Sequence, residues 1–123
     1  MSKVLTILFA VLVILHGLVH LMGTTVYMKW DQIEALPYKT ALLNGRWELG
    51  ETGMKVFGSL WLIPLLGFLL SGTALLAGWS WGETVLAASA LVSLVLTILD
   101  WQVAYAGIGV NIIILIVLEL TRL

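Results

Sequence analysis

Four long apolar runs divide the chain, and each is close to the roughly 20 residues that a helix needs to cross a bilayer. They extend over residues 4–27, 54–77, 83–99 and 103–120. Backbone polar groups in hydrocarbon must be satisfied internally, so only helices and closed barrels span membranes. Because the runs lack the alternation of barrel strands, the sequence predicts an all-α integral membrane protein: a four-transmembrane-helix bundle forming a single membrane domain over residues 1–123.

Composition agrees with this class and excludes others. Hydrophobic residues make up 61% of the chain and charged residues 11%, whereas a soluble domain has about 25% charged residues. The few basic residues are spread along the chain and form no patch for a phosphate backbone, so nucleic acid is not expected as a partner. The absence of cysteine excludes disulfides, cysteine zinc sites and iron–sulfur clusters. The partner that the composition requires is the lipid bilayer.

The first run follows Lys3 and therefore imitates a signal peptide. It is longer than an h-region and lacks a small-residue cleavage site, so we interpret it as a retained helix. Four crossings place both termini on one side and the connection between the first two runs on the other. The basic residues favour a cytoplasmic connection only weakly, which leaves the orientation open.

One long loop, residues 28–53, is predicted between the first and second helices. It holds most of the charged residues together with Trp30, Tyr38 and Trp47, whose rings favour the membrane interface. The loop can lie solvated on the headgroups. It can also act as a lid over an opening in the bundle, because long loops often cover binding sites.

His16 and His20 are the only histidines and lie within the first apolar run. Residues four apart share one helix face. A charged group in hydrocarbon costs on the order of 2 kcal/mol or more, so this pair requires an explanation. It either forms a functional site or consists of neutral imidazoles that hydrogen-bond to an asparagine or serine of the bundle.

Counting residues along antiparallel helices brings other polar side chains to the same depth. His16 and Asn111 both lie near the middle of their runs and should face each other near the midplane. The third run carries a stripe of hydroxyl residues that ends beside Asp100. We predict that one ligand pocket, opening beneath the long loop, is lined by His16, His20, Trp61, Ser93, Thr97, Asp100 and Asn111.

These residues also have structural explanations. Hydroxyl side chains in membrane helices often bond to the carbonyl four residues earlier, and Asp100 can be a solvated helix cap at the headgroups. Pro64 removes a backbone donor and predicts a kink in the second helix. A face of small residues predicts close helix packing, within the bundle or in a homo-oligomer: Gly67, Ser71, Ala74 and Gly78.

Several kinds of chemistry fit a histidine pair in a membrane. His16 and His20 form half of a site for a divalent metal ion, and two chains on a two-fold axis would supply four nitrogens. A proton relay towards Asp100 needs fewer groups. The sequence predicts binding of a small or lipophilic ligand, a metal ion or a proton in a transport or carrier component, and requires no cofactor. The alternatives are a redox or enzyme subunit holding quinone or haem, and a structural subunit of a larger membrane complex.

Four segments resemble a group of small four-helix bacterial membrane proteins that are often labelled ABC transporter permeases. The segments are HGLVHL at 16–21, GSLWL at 58–62, DWQVAYAG at 100–107 and VNII at 110–113. The resemblance implies a multi-pass protein of a prokaryotic cytoplasmic membrane with these polar positions, and it implies no particular activity. The sequence gives no support to the permease label, since it lacks a nucleotide-binding P-loop. The group has an acidic residue directly after the tryptophan, where this chain has Gln102 and carries Asp100 before Trp101 instead.

Overall fold

The computed structural model describes residues 1–122, and side chains as far as residue 121. Its elements, in chain order, are α1 Lys3–Tyr27, β1 Ala41–Leu42, β2 Trp47–Glu48, α2 Gly50–Leu60, α3 Leu62–Ala77, α4 Gly82–Leu99 and α5 Trp101–Arg122. Four helical segments are long and apolar enough to cross a membrane, with α2 and α3 together forming the second. The predicted all-α architecture, with four helical segments long and apolar enough to span a membrane, is therefore confirmed.

Two of the spans are interrupted. The second breaks at Trp61, between α2 and α3. Pro64 explains the position of this break, because its ring conflicts with the carbonyl of Leu60 and it has no amide hydrogen to donate to it. The helix is thus interrupted one turn before Pro64, where the sequence predicts a kink. Helix α5 begins at Trp101, earlier than the predicted run, and bends at Ala104, whose backbone is not helical.

The connection between α1 and α2 differs from the predicted loop over residues 28–53. It occupies only residues 28–49, because α2 begins at Gly50. Within it, β1 and β2 pair antiparallel, with Ala41 opposite Glu48. Leu36 and Leu42 are buried against the end of the bundle. The single long loop is therefore corrected to a shorter connection, part of which folds as a hairpin.

The helices pack in the order α1, α3, α4, α5, and the backbones of the first and last helices approach each other at few points. Glycines allow the close approaches. Gly17 of α1 lies against Phe68 of α3, where an added Cβ would come within 2.7 Å of the phenylalanine Cβ. An added Cβ at Gly67 of α3 would collide with Ser89 of α4. The small-residue face thus packs inside the bundle, and Gly78 ends α3 in the left-handed conformation.

Two apolar clusters lie at different depths of the bundle. The cluster nearer the connection contains Val26, Tyr27, Leu36, Leu42, Met54, Phe57, Trp61 and Leu96. The cluster nearer the termini contains Phe9, Val13, Phe68, Leu86, Ala90, Ile114 and Leu118. On α1, His16 and His20 lie between the residues of the two clusters, so a polar layer separates them.

Candidate intramembrane binding site

A ring of hydrogen bonds connects α1, α4 and α5 in this polar layer. His16 Nε2 lies 2.9 Å from Asn111 Oδ1, and Asn111 Nδ2 donates to Ser93 Oγ at 2.8 Å. Ser93 Oγ lies 2.6 Å from His20 Nε2, and His20 Nδ1 lies 2.7 Å from the backbone carbonyl oxygen of His16. All four residues are buried. The structure therefore brings together four predicted site residues, and the predicted pairing of His16 with Asn111 is confirmed.

The backbone carbonyl determines the direction of every bond in the ring. A carbonyl oxygen only accepts, so His20 Nδ1 carries a hydrogen and the Nε2 of a neutral His20 is an acceptor. Ser93 then donates to His20 and accepts from Asn111. The amide oxygen of Asn111 faces His16, which donates from Nε2. Two neutral imidazoles, the form that hydrocarbon favours, satisfy these bonds as opposite tautomers, with the hydrogen of His16 on Nε2 and that of His20 on Nδ1.

The hydroxyl stripe of α4 divides into two parts. Thr97 Oγ1 donates to the carbonyl of Ser93 at 2.8 Å and lies 3.4 Å from Asn111 Nδ2. Ser89 donates to the carbonyl of Val85 at 2.7 Å and lies beside Gly67. Ser93 and Thr97 therefore belong to the site, whereas Ser89 serves helix packing.

Asp100 is the C-cap residue of α4, as its structural explanation predicts, but it is buried, so the expectation of a solvated cap is wrong. Its side chain is 1% exposed and forms an ion pair with Lys39 of the connection. The Tyr27 hydroxyl donates to the second carboxylate oxygen at 2.5 Å. The sequence analysis missed both partners. The sequence does hold a signal for such a pair. It is a lone acidic residue at the end of an apolar run, on the same side as a connection that contains lysines.

Two further hydrogen bonds link the connection to the junction of α4 and α5. The amide of Leu43 donates to the carbonyl of Leu99 at 3.0 Å, and the Gln102 side chain donates to Asn44 Oδ1 at 2.6 Å. With the ion pair of Asp100, these bonds hold the connection over the end of the bundle.

A cavity of about 320 Å³ lies between α1 and α5. Its walls are largely apolar and include Val19, Met22, Leu36, Val103 and Val110. Five residues with polar side chains also line it: His16, His20, Trp61, Thr97 and Asp100. Ser93 and Asn111 do not line it and are hydrogen-bonded to the histidines. The lining residue Val19 is 55% exposed, so the cavity reaches the surface in the gap between the two helices. The opening therefore faces sideways, between helices long and apolar enough to cross a membrane, and Leu36 of the connection is also part of the lining.

Trp61 lies at the break of the second span, and its ring forms part of the cavity wall. The ring centroid is 5.3 Å from that of His20, and the ring packs against Gly23. Its Nε1 is buried and has no hydrogen-bond partner among residues 1–121. A buried donor without a partner costs about 1–3 kcal/mol, and such groups in native proteins call for an explanation.

The ring nitrogens limit what the histidines can ligate. Hydrogen bonds engage both nitrogens of His20 and Nε2 of His16. Among the described residues, no three histidine, aspartate or glutamate side chains are grouped to hold a metal ion. Ser93 and His20 have the spacing of a nucleophile and its base, but Ser93 is fully buried and does not line the cavity. The arrangement is suited to binding a neutral molecule.

Comparisons of the chain with family models, with curated proteins and with solved structures found no match. The resemblance of its four segments to small four-helix bacterial membrane proteins therefore stays a prediction.

Proposed function

We propose that this protein binds a small, uncharged, lipophilic molecule in the cavity between α1 and α5, as a carrier or transport component. The observation that carries the proposal is a largely apolar cavity of about 320 Å³ at the depth of a neutral hydrogen-bonded ring. Sites for small molecules have volumes of about 300–1,000 Å³ and combine apolar walls with a few convergent polar groups. The ligand enters from the bilayer through the gap between α1 and α5.

The charges around the cavity support a neutral ligand. Asp100 is the charged residue in the cavity wall, and Lys39 already neutralises it. Both histidines satisfy their hydrogen bonds without a charge. A charged ligand would have to leave water without gaining a free counter-charge, which is costly in a low-dielectric site.

Trp61 supports a ligand that contains oxygen. Its indole N–H lacks an acceptor among the described residues and belongs to a side chain of the cavity wall. A ligand oxygen that reaches the indole N–H would supply the acceptor that it lacks.

Photolabelling tests the proposal. The protein is reconstituted in lipid nanodiscs, irradiated with an octanol derivative that carries a diazirine, and the labelled residues are mapped by mass spectrometry. We expect labelling concentrated on cavity residues such as Met22 and Val103. Val19→Trp should abolish it, because the indole fills the mouth of the gap. The control Leu15→Trp lies one turn earlier on the same helix, is also exposed, and does not line the cavity.

Labelling spread over the lipid-facing surface and unchanged by Val19→Trp would overturn the proposed function. The same mapping distinguishes a structural subunit, which would show no preferred site.

A further inference from the structure

We infer that the site selects lipophilic molecules that carry a hydrogen-bond donor, a hydroxyl or an N–H, which His16 Nδ1 accepts. The inference rests on the proposed function and names the class of ligand. His16 Nδ1 is the one imidazole nitrogen that makes no hydrogen bond within the described part of the chain. His16 lines the cavity, and its Nδ1 is not fully enclosed by the protein. A ligand in the cavity can therefore reach it.

The hydrogen-bond ring keeps this nitrogen an acceptor. His16 donates from Nε2 to Asn111, so a neutral His16 has its lone pair on Nδ1. The donor and acceptor in that bond follow from the backbone carbonyl of His16, which can only accept. This carbonyl sets the roles of His20, Ser93 and Asn111 in turn. Those three side chains position the His16 acceptor. They do not themselves accept the hydrogen of the ligand.

The opposite direction is unfavourable while the imidazoles are neutral. If His16 donated from Nδ1, its Nε2 would accept, and Asn111 would turn its amide nitrogen towards His16. The Asn111 oxygen would then face Ser93, whose single hydrogen cannot serve both this oxygen and His20 Nε2. One buried hydrogen bond would be lost, which disfavours this state by roughly tenfold or more. A charged His20 would restore the count, but only by placing a charge in hydrocarbon.

A hydroxyl and its methyl ether therefore differ at this site. The hydroxyl donates to His16 Nδ1, whereas the ether offers only acceptors and leaves two lone pairs facing each other. Losing one neutral hydrogen bond in a buried site corresponds to about a tenfold weaker affinity.

Nitrogen NMR tests the acceptor without any ligand. The chain has two histidines, so labelling histidine with ¹⁵N in the nanodisc sample gives two assignable rings. We expect His16 to be protonated at Nε2 and His20 at Nδ1. Equal tautomers in the two rings would overturn the inference.

Competition against the diazirine probe tests the selection. We compare 1-octanol with methyl octyl ether at equal concentrations in the bilayer and expect about tenfold stronger competition by the alcohol. Ser93→Ala removes the constraint on Asn111 and should shrink this preference. Ser89→Ala should keep it, because Ser89 lies on the same helix one turn away and bonds only to the carbonyl of Val85.

The outcomes separate the two proposals. Equal competition by alcohol and ether, with labelling that Val19→Trp still abolishes, overturns the donor selection and leaves the cavity as a binding site. Labelling that is insensitive to Val19→Trp overturns the proposed function itself. If Ser93→Ala leaves the preference for the alcohol over the ether unchanged, the ring of hydrogen bonds does not position the His16 acceptor.

Discussion

Replacing Lys39 by methionine should destabilise the protein more than any other removal of one charge from the connection. The carboxylate of Asp100 is 1% exposed and has two polar contacts, Lys39 and the Tyr27 hydroxyl. Breaking a buried ion pair by removing one partner costs about 3–5 kcal/mol. Lys39 is 25% exposed and the tyrosine bond remains, so we expect a loss of about 2–3 kcal/mol after allowing for solvent screening.

Replacing Asp100, the partner of Lys39, should lower the free energy of unfolding by a smaller amount. In Asp100→Asn the amide oxygen still accepts from Tyr27, and the freed ammonium of Lys39 can turn to water because it is partly exposed. We expect a loss of about 1 kcal/mol. The double variant should be close to Asp100→Asn alone, because no buried charge is left unpaired.

The assay is reversible unfolding in mixed micelles with increasing SDS, followed by tryptophan fluorescence. Lys29→Met is the matched control from the same connection. Its partner Glu51 lies 3.5 Å away and both side chains are about half exposed, so the pair contributes about 0–1 kcal/mol. The prediction fails if Lys39→Met lowers the free energy of unfolding no more than Lys29→Met does. It also fails if the double variant Lys39→Met/Asp100→Asn is no more stable than Lys39→Met alone.

Two further predictions test the packing and the topology. Gly17→Ala should lower the free energy of unfolding by about 1–3 kcal/mol in the same assay, because its Cβ would collide with Phe68. Gly109→Ala, where an added Cβ meets nothing within 4 Å, should be neutral or stabilise by up to about 1 kcal/mol; equal losses in both would contradict the packing. Since the chain has no cysteine, Glu34→Cys and Ser80→Cys should react with a membrane-impermeant thiol reagent from opposite sides, and labelling of both from one side would exclude four crossings.

Much of the candidate site could be predicted because depth in a membrane follows from counting residues. A helix rises about 1.5 Å per residue, so the common depth of His16 and Asn111 follows from their positions in antiparallel runs. Proline chemistry is equally local, and the break near Pro64 was predicted from one residue. The shared face of His16 and His20 follows from helical periodicity alone.

The partners of Asp100 could not be predicted in this way. Lys39 lies in a connection whose path depends on the pairing of β1 with β2 and on the burial of Leu36 and Leu42. Short strands and turns of this kind are set by tertiary contacts, which override weak local preferences. The expectation of one continuous loop over residues 28–53 failed for the same reason.

The amino-acid sequence alone predicts four helical segments long and apolar enough to cross a membrane, since hydrocarbon leaves such segments no unpaired backbone groups. It also determined which polar residues share a depth. Only the tertiary structure decided how each helix is rotated and which helices are neighbours, because close contacts such as Gly17 on Phe68 and Gly67 on Ser89 set both. That rotation places the cavity in the gap between α1 and α5 and leaves one nitrogen of His16 as its acceptor.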